Sequence, residues 1–445
     1  MNKKIGFISL GCAKNLTDTE TMLGILTEDG FEISADAASC DIIVVNTCAF
    51  IDSAKEESIN TILDMAQLKK KKCELLIVTG CLAQRYKDEI LSELPEVDII
   101  LGTNDYPSVA NVINSYYKDK SKKSIVSSEN THVSYDLPRI QSTPFYTAYL
   151  KIADGCDNFC TYCIIPKLRG KFRSRPIDSI ISEAKELSQN GVKELILVAQ
   201  DTACYGKDTG NSLAHLLKEL SKIDGIEWIR LQYCYPENIT DELVDEIAQN
   251  PKIVKYLDIP LQHVSDNVLK LMGRRSRKVQ IENLIDSLRE KIPGICIRTS
   301  LICGFPGETT EDFEVLKEFL DKYRIDKVGV FTYSREEGTP AYNFQNQIDE
   351  EIKQSRRDEL MTLQQAVSLD VNNNRIGTRV HAIIEGYDEA ELCYVGRCCF
   401  DTPDVDGIAY IYSEDEHSAG DIVEIEIIDF SEYDVVGKTI SRKDD

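Results

Sequence analysis

Three closely spaced cysteines give this chain its most distinctive chemistry. Cys156, Cys160 and Cys163, the loop cysteines, follow the spacing C-x3-C-x2-C, and three thiolates so close in sequence can converge on one soft-metal centre. Structural zinc sites have four ligands, and cubane iron–sulfur clusters usually take four cysteines. No fourth cysteine or histidine lies near this segment. Three ligands leave one metal position open, as in catalytic sites; a zinc site with a remote fourth ligand is the alternative.

Three more cysteines, the edge cysteines, occupy equivalent positions near the start of the chain. Each follows an apolar, β-rich run and a small polar step. The runs and their cysteines are Ile5–Leu10 with Cys12, Ile42–Val45 with Cys48, and Leu75–Val78 with Cys81. Such runs are typical of strands buried on both faces of a parallel sheet, and a doubly wound α/β domain binds ligands beyond the carboxyl ends of its strands. We therefore expect a second three-thiol metal site at one edge of the sheet, with buried core cysteines as the alternative.

The positions of these cysteines imply a chain of three domains. Residues 1–118 are predicted to form the doubly wound α/β domain, and the polar, aperiodic residues 119–138 to form a linker. Six strand–helix units in residues 139–370 predict an open, partial version of the eightfold (β/α) barrel, with the loop cysteines on the face where barrel active sites are built. Residues 371–445 alternate in short runs between turns, which predicts a small all-β barrel.

Composition limits the classes of function. The chain has 15 cysteines, no uninterrupted apolar stretch long enough to span a membrane, and no pattern of an export signal. In a reducing cytoplasm, clustered cysteines indicate metal binding or catalysis more often than disulfides. The net charge of −24 opposes binding to free nucleic acid, because phosphates attract a basic surface. We expect a cytoplasmic protein with neither a membrane nor a free nucleic-acid partner.

Acidic residues concentrate at the C-terminal end. From residue 375 onward there are 18 acidic and 6 basic residues, a net charge of −12 that is half of the excess in the whole chain. A solvated acidic surface is one interpretation. A docking face for a cationic partner is the other, because such a surface attracts basic partners at long range.

The two cysteine sets, in this order of domains, resemble the radical S-adenosylmethionine (SAM) methylthiotransferases over essentially the full chain. The resemblance implies two 4Fe–4S clusters, an auxiliary cluster on the edge cysteines and a SAM-binding cluster on the loop cysteines. It also implies a radical SAM core in the central domain and a substrate-binding TRAM domain at the C-terminal end. SAM would serve as the radical source and as the methyl donor, and the auxiliary cluster would deliver sulfur. An electron donor such as flavodoxin or ferredoxin is implied as well.

Four further residues come from segments that agree with this family, and the segment of the last two resembles the region that lies against SAM. Gly191 and Glu194 lie at the start of the second strand of the partial barrel, and Gly304 and Gly307 follow the fifth. Glycine lets the backbone approach a cofactor closely, although glycine at a strand end is equally an ordinary turn. All four are predicted to be cofactor-binding residues.

Two segments favour the branch of the family that modifies a ribosomal protein, the RimO type. Residues 10–15, Leu-Gly-Cys-Ala-Lys-Asn, differ after the cysteine from the tRNA-modifying branch, the MiaB type. Residues 395–407 resemble the acidic RimO-type barrel segment, with Thr402 in place of the usual alanine. The RimO type implies methylthiolation of the β-carbon of an aspartate in the basic small-subunit ribosomal protein uS12, and the acidic C-terminal end agrees with such a partner. Methylthiolation of N6-isopentenyladenosine at C2 in tRNA is one alternative, and a non-catalytic zinc- or cluster-bearing scaffold on the ribosome is another.

Overall fold

The computed structural model describes residues 3–128 and 135–440, which form three units in chain order. The strands of the first unit are β1 (Lys4–Ser9), β2 (Glu32–Ile33), β3 (Ile42–Thr47), β4 (Leu75–Gly80), β5 (Ile99–Leu101) and β6 (Lys123–Ile125). Its helices are α1 (Ala13–Glu28), α2 (Asp52–Gln67), α3 (Cys81–Glu93) and α4 (Val109–Asp119). All six strands are parallel, in the order β2-β1-β3-β4-β5-β6, so the predicted α/β class is confirmed. Alternate residues of β3 and β4 enter the cores on opposite faces of the sheet, which explains their continuous apolar sequence.

The second unit is the predicted partial barrel. Its strands are β7 (Thr147–Lys151), β8 (Ala153–Asp154), β9 (Arg173–Ser174), β10 (Glu194–Val198), β11 (Trp228–Leu231), β12 (Ile253–Asp258), β13 (Cys296–Cys303) and β14 (Lys327–Thr332). Its helices are α5 (Ile165–Arg169), α6 (Ile177–Gln189), α7 (Leu213–Leu220), α8 (Asp241–Gln249), α9 (Asp266–Leu271), α10 (Lys278–Lys291), α11 (Thr310–Tyr323) and α12 (Glu350–Asn373). Six strands form one parallel sheet in the order β14-β13-β12-β11-β10-β7, while β8 and β9 pair separately on either side of the cysteine loop.

The third unit is a closed five-stranded barrel, as the short alternating runs predict. Its strands are β15 (Arg379–Asp388), β16 (Cys393–Cys398), β17 (Ala409–Tyr412), β18 (Ile422–Phe430) and β19 (Val435–Thr439). They close in the order β15-β16-β17-β19-β18. Across the described parts of all three units, no helix combines the length and apolar character needed to cross a membrane.

The first unit covers part of the inner face of the central sheet. Leu195 of β10 packs outward into the helical layer, whereas Ile196 and Val198 pack inward. On the inner side they meet Ala13 and Leu16 at the start of α1. The beginning of α1 therefore closes the carboxyl-end half of the partial barrel, on the side of the cysteine loop.

The third unit covers the other half of that inner face. Arg397 binds Glu194 at the start of β10, and the side-chain amide of Gln232 donates to the Thr402 hydroxyl (2.6 Å). Thr402 and its neighbour Asp401 are buried. Within the segment that resembles the acidic RimO-type sequence, these two residues are thus packed against the partial barrel and do not contribute to an open docking face, whereas Asp404 is exposed.

The predicted linker, residues 119–138, differs from the structure. Lys123–Ile125 forms β6 and pairs in parallel with β5, so the beginning of this segment completes the first sheet. A three-residue strand is too short to produce a periodic pattern, and its polar surroundings therefore suggested a linker. Residues 129–134 of the segment lie outside the described residues.

Candidate active site

The edge cysteines lie at the carboxyl ends of three neighbouring strands. Cys12 follows β1 and precedes α1, Cys48 follows β3, and Cys81 begins α3 directly after β4. Because β1, β3 and β4 are adjacent in the sheet, these positions share one edge. Gly11 makes the close approach possible: its φ is +87°, and a Cβ at this residue would lie 2.8 Å from Cys48 Cβ. The sheet and this glycine together bring the three thiols to one place.

Burial and nearby cations act differently on the three edge thiols. Burial raises the pKa of Cys48, and it raises the pKa of Cys81 to about 12. Burial also acts on Cys12, but the positive charges of Lys14 and Arg169 outweigh it and lower the pKa of this thiol. Metals bind the thiolate form. Cys12 is therefore the edge cysteine most ready to lose its proton.

The loop cysteines lie between β8 and α5, on a backbone that leaves little room for variation. The Cys156 amide donates to the Gly170 carbonyl oxygen (3.0 Å). Gly155, with φ of +78°, passes so close to the returning chain that a Cβ there would lie 2.0 Å from the carbonyl oxygen of Lys171. The loop therefore requires glycine immediately before its first cysteine.

Polar aromatic and cationic groups flank the loop cysteines. Cys156 and Cys160 are buried, and burial raises the pKa of Cys156 to about 12. The Tyr235 hydroxyl lies 3.6 Å from Cys160 Sγ. The guanidinium group of Arg274 lies 4.1 Å from the centre of the Tyr235 ring. The positive charge of Arg274 thus lies against the ring of Tyr235, whose hydroxyl contacts Cys160.

A buried arginine connects the two cysteine sets. Arg169, at the end of α5, is 2% exposed. Its guanidinium group donates to Asn15 Oδ1 (2.7 Å) and Asp18 Oδ2 (2.9 Å) in α1, and to Asp154 Oδ2 (3.1 Å) just before the cysteine loop. Asn15 Oδ1 also lies 3.9 Å from Cys81 Sγ. One hydrogen-bonded frame therefore fixes the edge cysteines of the first unit against the loop of the second.

Sequence reasoning missed this frame. Asn15 lies in residues 10–15, the segment that resembles the RimO-type branch, so the sequence marks this residue of the frame but not Arg169. Arg169 is separated from Asn15 by 154 positions, and no local pattern relates them. A pairing over such a distance is visible only once the two domains are in contact.

The segment after β13 reaches the cysteine loop, although packing already explains its first glycine. Phe305 is fully buried, and its ring lies edge-to-face with that of Tyr162, 6.4 Å between centroids. A Cβ at Gly304, whose φ is +71°, would lie 2.3 Å from Lys353 Cγ of α12. Gly307 also has a positive φ, +86°. Contact of these two glycines with SAM stays a prediction.

Gly191 and Glu194 lie at the start of the second strand of the partial barrel, as predicted, and contact of either residue with SAM stays a prediction. Glu194 begins β10 at its amino end, whereas the cysteine loop follows the carboxyl ends of the strands. Its carboxylate accepts hydrogen bonds from Arg230 Nε (2.9 Å) and Arg397 Nη1 (3.1 Å). Gly191 lies in the turn just before, where its φ is +97°. This placement gives Glu194 the role of joining the central sheet to the C-terminal barrel.

The donor set of each cysteine group fits an iron–sulfur cluster. Among the described residues, no three Cys, His, Asp or Glu side chains converge so closely that they would hold a single metal ion. A cubane does not require that convergence, because its cysteines bind iron atoms at separate corners. Each group supplies three thiols, the ligands that these clusters take, on a backbone that is fixed by strand ends or hydrogen bonds.

Three family models match the chain in succession. Residues 4–102 match the uncharacterized protein family UPF0004, residues 150–320 the Radical SAM superfamily, and residues 376–440 the TRAM domain. A relative from Acetivibrio thermocellus, named ribosomal protein uS12 methylthiotransferase RimO, is 51% identical over 99% of each chain. A relative of the same name from Clostridium botulinum is 52% identical over 98% of this chain and 97% of its own.

Solved structures with a similar fold are more distant in sequence. The radical S-adenosylmethionine methyltransferase TsrM from Kitasatospora setae superposes with a TM-score of 0.58 at 13% identity, over 77% of each chain. The cobalamin-dependent S-adenosylmethionine radical enzyme OxsB gives a TM-score of 0.54 at 13% identity, over 81% of this chain and 56% of its own. At these identities the likeness shows the fold alone.

Proposed function

The chain belongs to the RimO-type ribosomal protein uS12 methylthiotransferases, and from this membership we propose how its residues divide the work of the reaction. It is a radical SAM transferase whose cofactors are SAM and two 4Fe–4S clusters. The reaction attaches a methylthio group to the β-carbon of an aspartate in uS12. That carbon–hydrogen bond is too weakly acidic for a general base, so the bond has to be broken by radical chemistry.

The connection between the two cysteine sets carries the assignment. Arg169 binds α1 directly behind Cys12 and also binds Asp154 directly before the loop cysteines. Two separate three-thiol sites at opposite ends of the molecule could not act on one carbon atom. A shared, buried frame is what a reaction with two clusters and one substrate requires.

We assign the SAM-binding cluster to the loop cysteines and the auxiliary cluster to the edge cysteines. When bound, these groups supply the one-electron cleavage of SAM and the sulfur that is transferred. The residues of the chain hold the two ligand sets in a fixed relation and keep water away from the reacting carbon. Arg169 serves the first purpose. The start of α1, packed on Ile196 and Val198, serves the second.

The exposed acids of the C-terminal barrel support recognition of a basic substrate protein. These residues are Glu385, Glu389, Glu391, Asp404, Glu414, Asp415, Glu416, Glu424, Glu426 and Asp429. Charge complementarity of this kind accelerates encounter with a cationic partner such as uS12. Asp401 does not take part, because it is buried and binds Lys327 (2.5 Å).

The remaining partners follow from the same chemistry. A one-electron donor protein, such as flavodoxin or ferredoxin, has to reduce the SAM-binding cluster. Free nucleic acid is not a partner in this proposal, since the acidic barrel repels phosphates. The enzyme would act in the cytoplasm, where uS12 and the ribosome are found.

A direct comparison of substrates tests the proposed function. The reconstituted enzyme is incubated anaerobically with SAM and a reductant, together with either uS12 or hypomodified tRNA, and the products are analysed by mass spectrometry. We expect methylthiolated uS12 and unchanged tRNA. Methylthiolated tRNA with unchanged uS12 would show that the enzyme acts on nucleic acid instead.

A further inference from the structure

Lys14 is a buried cation without a carboxylate partner. It is 8% exposed, and its ammonium group makes one long hydrogen bond, to the Ala199 carbonyl oxygen (3.4 Å). The same group lies 3.5 Å from the centre of the Tyr233 ring. Throughout residues 3–128 and 135–440, no carboxylate oxygen lies within 4.0 Å of Lys14 Nζ. A buried charge is stable only with compensating partners, and an ammonium group has three donors to satisfy.

The two carboxylates whose charge acts on Lys14 are bound to other cations. Asp154 binds Arg169 (3.1 Å), and Asp258 binds Arg298 (3.0 Å). Arg169 itself adds positive charge near Lys14. Among the described residues no carboxylate is therefore left to pair with this ammonium group. The charge of the Cys12 thiolate acts on Lys14 through space but does not occupy its donors, which remain available for a negative group from outside.

Lys14 also lies where the transferred sulfur has to arrive. It stands two residues after Cys12, one of the edge cysteines, and its contacts Ala199 and Tyr233 follow β10 and β11 at the carboxyl ends of the central sheet. Gly11 is exposed, and both Cys12 and Tyr233 are half-buried. The surroundings of Lys14 therefore border the protein surface, between the first unit and the carboxyl ends of the central strands.

We propose that Lys14 binds the carboxylate of the substrate aspartate and so selects an acidic side chain for methylthiolation. The inference rests on the proposed function, because it takes the edge cysteines as the source of sulfur. A carboxylate would accept hydrogen bonds from the Lys14 ammonium group, which makes only one long hydrogen bond within the described chain. In aspartate the β-carbon is bonded directly to the carboxyl carbon, so this contact would bring the reacting carbon close to Cys12.

The same contact contributes to substrate choice. An adenine base carries no negative charge, so it would leave Lys14 buried and unpaired. An asparagine side chain has the shape of aspartate but lacks the charge. Aspartate and asparagine are therefore the matched pair that isolates the contribution of Lys14.

The experiment compares Lys14→Gln and Lys14→Arg with the wild-type enzyme, all full-length and reconstituted. The substrates are uS12 and a uS12 variant whose target aspartate is replaced by asparagine. Lys70→Gln is the matched control, because Lys70 is exposed and, within the part of the chain that the structure describes, its side chain binds Gln67 alone (2.8 Å). The readouts are the KM for uS12, the dissociation constant of each substrate, the iron content, and deoxyadenosine formed without substrate.

Lys14→Gln should weaken binding of uS12 about 10- to 100-fold, as expected for a charged hydrogen bond that is lost. Binding of the asparagine variant and substrate-free deoxyadenosine formation should match those of the wild type. Iron should be retained as well, because Arg169 still stabilises the Cys12 thiolate in this variant. Lys14→Arg and Lys70→Gln should retain the preference for aspartate.

Unchanged discrimination between the two substrates in Lys14→Gln would overturn the proposal. So would a loss of iron in that variant, since Lys14 would then serve the cluster and not the substrate. If the proposed function itself were wrong, the result would be different, because the wild-type enzyme would then leave uS12 unmodified.

Discussion

Replacing Glu194 by glutamine should loosen the C-terminal barrel from the central sheet. Glu194 is 0% exposed and binds Arg230 and Arg397. Burial opposes ionisation of this carboxyl, but the two guanidinium groups outweigh burial and lower the pKa of Glu194 from 4.5 to about 2. A pKa displaced that far corresponds to about 3 kcal/mol. The figure agrees with the ~3–5 kcal/mol that is lost when one partner of a buried ion pair is removed.

Native-state hydrogen exchange measures this loss where it occurs. At pH 7 the free energy of opening for amides in β10 and β16 should fall by about 3 kcal/mol in Glu194→Gln. The matched control is Glu385→Gln: Glu385 binds the same Arg397 (2.9 Å), but its side chain is 33% exposed. In Glu385→Gln the free energy of opening should fall by less than about 1 kcal/mol.

The wild-type protein should show the same contribution as a dependence on pH. A carboxyl group with a lowered pKa stabilises the fold fully above its ordinary pKa of 4.5, and this stabilisation is lost as the pH falls toward 2. Equal losses in Glu194→Gln and Glu385→Gln would refute the reasoning, because contact with Arg397 alone, and not the buried charge, would then join the two units.

Two other substitutions probe separate parts of the molecule. Burial lowers the pKa of His263 to about 3. Below pH 6.5 this histidine therefore binds a proton in the unfolded chain but not in the folded one. The free energy of unfolding should fall by about 2 kcal/mol at pH 5 for this reason. Urea unfolding of His263→Gln should show that much less loss between pH 7 and pH 5, and an unchanged loss would argue against a buried neutral imidazole. Gly11→Ala should deplete the iron of the edge cysteines and stop sulfur transfer, because the added Cβ would lie 2.8 Å from Cys48 Cβ, while deoxyadenosine formation continues. Gly30→Ala is its control, since Gly30 has a similar φ of +84° but open space around it; equal iron content in the two variants would contradict the packing argument.

The placement of the edge cysteines could be predicted because local sequence determines it. Each follows a continuous apolar run, and a run buried on both faces has to be a strand inside a parallel sheet. Since neighbouring parallel strands end at one edge, Cys12, Cys48 and Cys81 had to meet there. Their role as cluster ligands stays a prediction, as does that of the loop cysteines.

Contacts between distant segments could not be predicted from the same patterns. Glu194 stands in a segment that agrees with the family, yet its partner Arg397 lies 203 positions away. The acidic residues after Arg397 favour an exposed docking face when only the composition is known. Composition does not reveal that Asp401 and its neighbour Thr402 are buried against the partial barrel. Burial of charged residues depends on which cations they meet, and only the folded chain brings those together.

Anaerobic turnover of Cys48→Ala and Cys160→Ala tests most directly the claim that the two cysteine sets carry separate clusters with separate tasks. Deoxyadenosine and methylthiolated uS12 are quantified in the same reaction. Cys48→Ala should form deoxyadenosine without methylthiolated uS12, and Cys160→Ala should form neither product. Methylthiolation of uS12 by Cys48→Ala, or deoxyadenosine from Cys160→Ala, would contradict the claim.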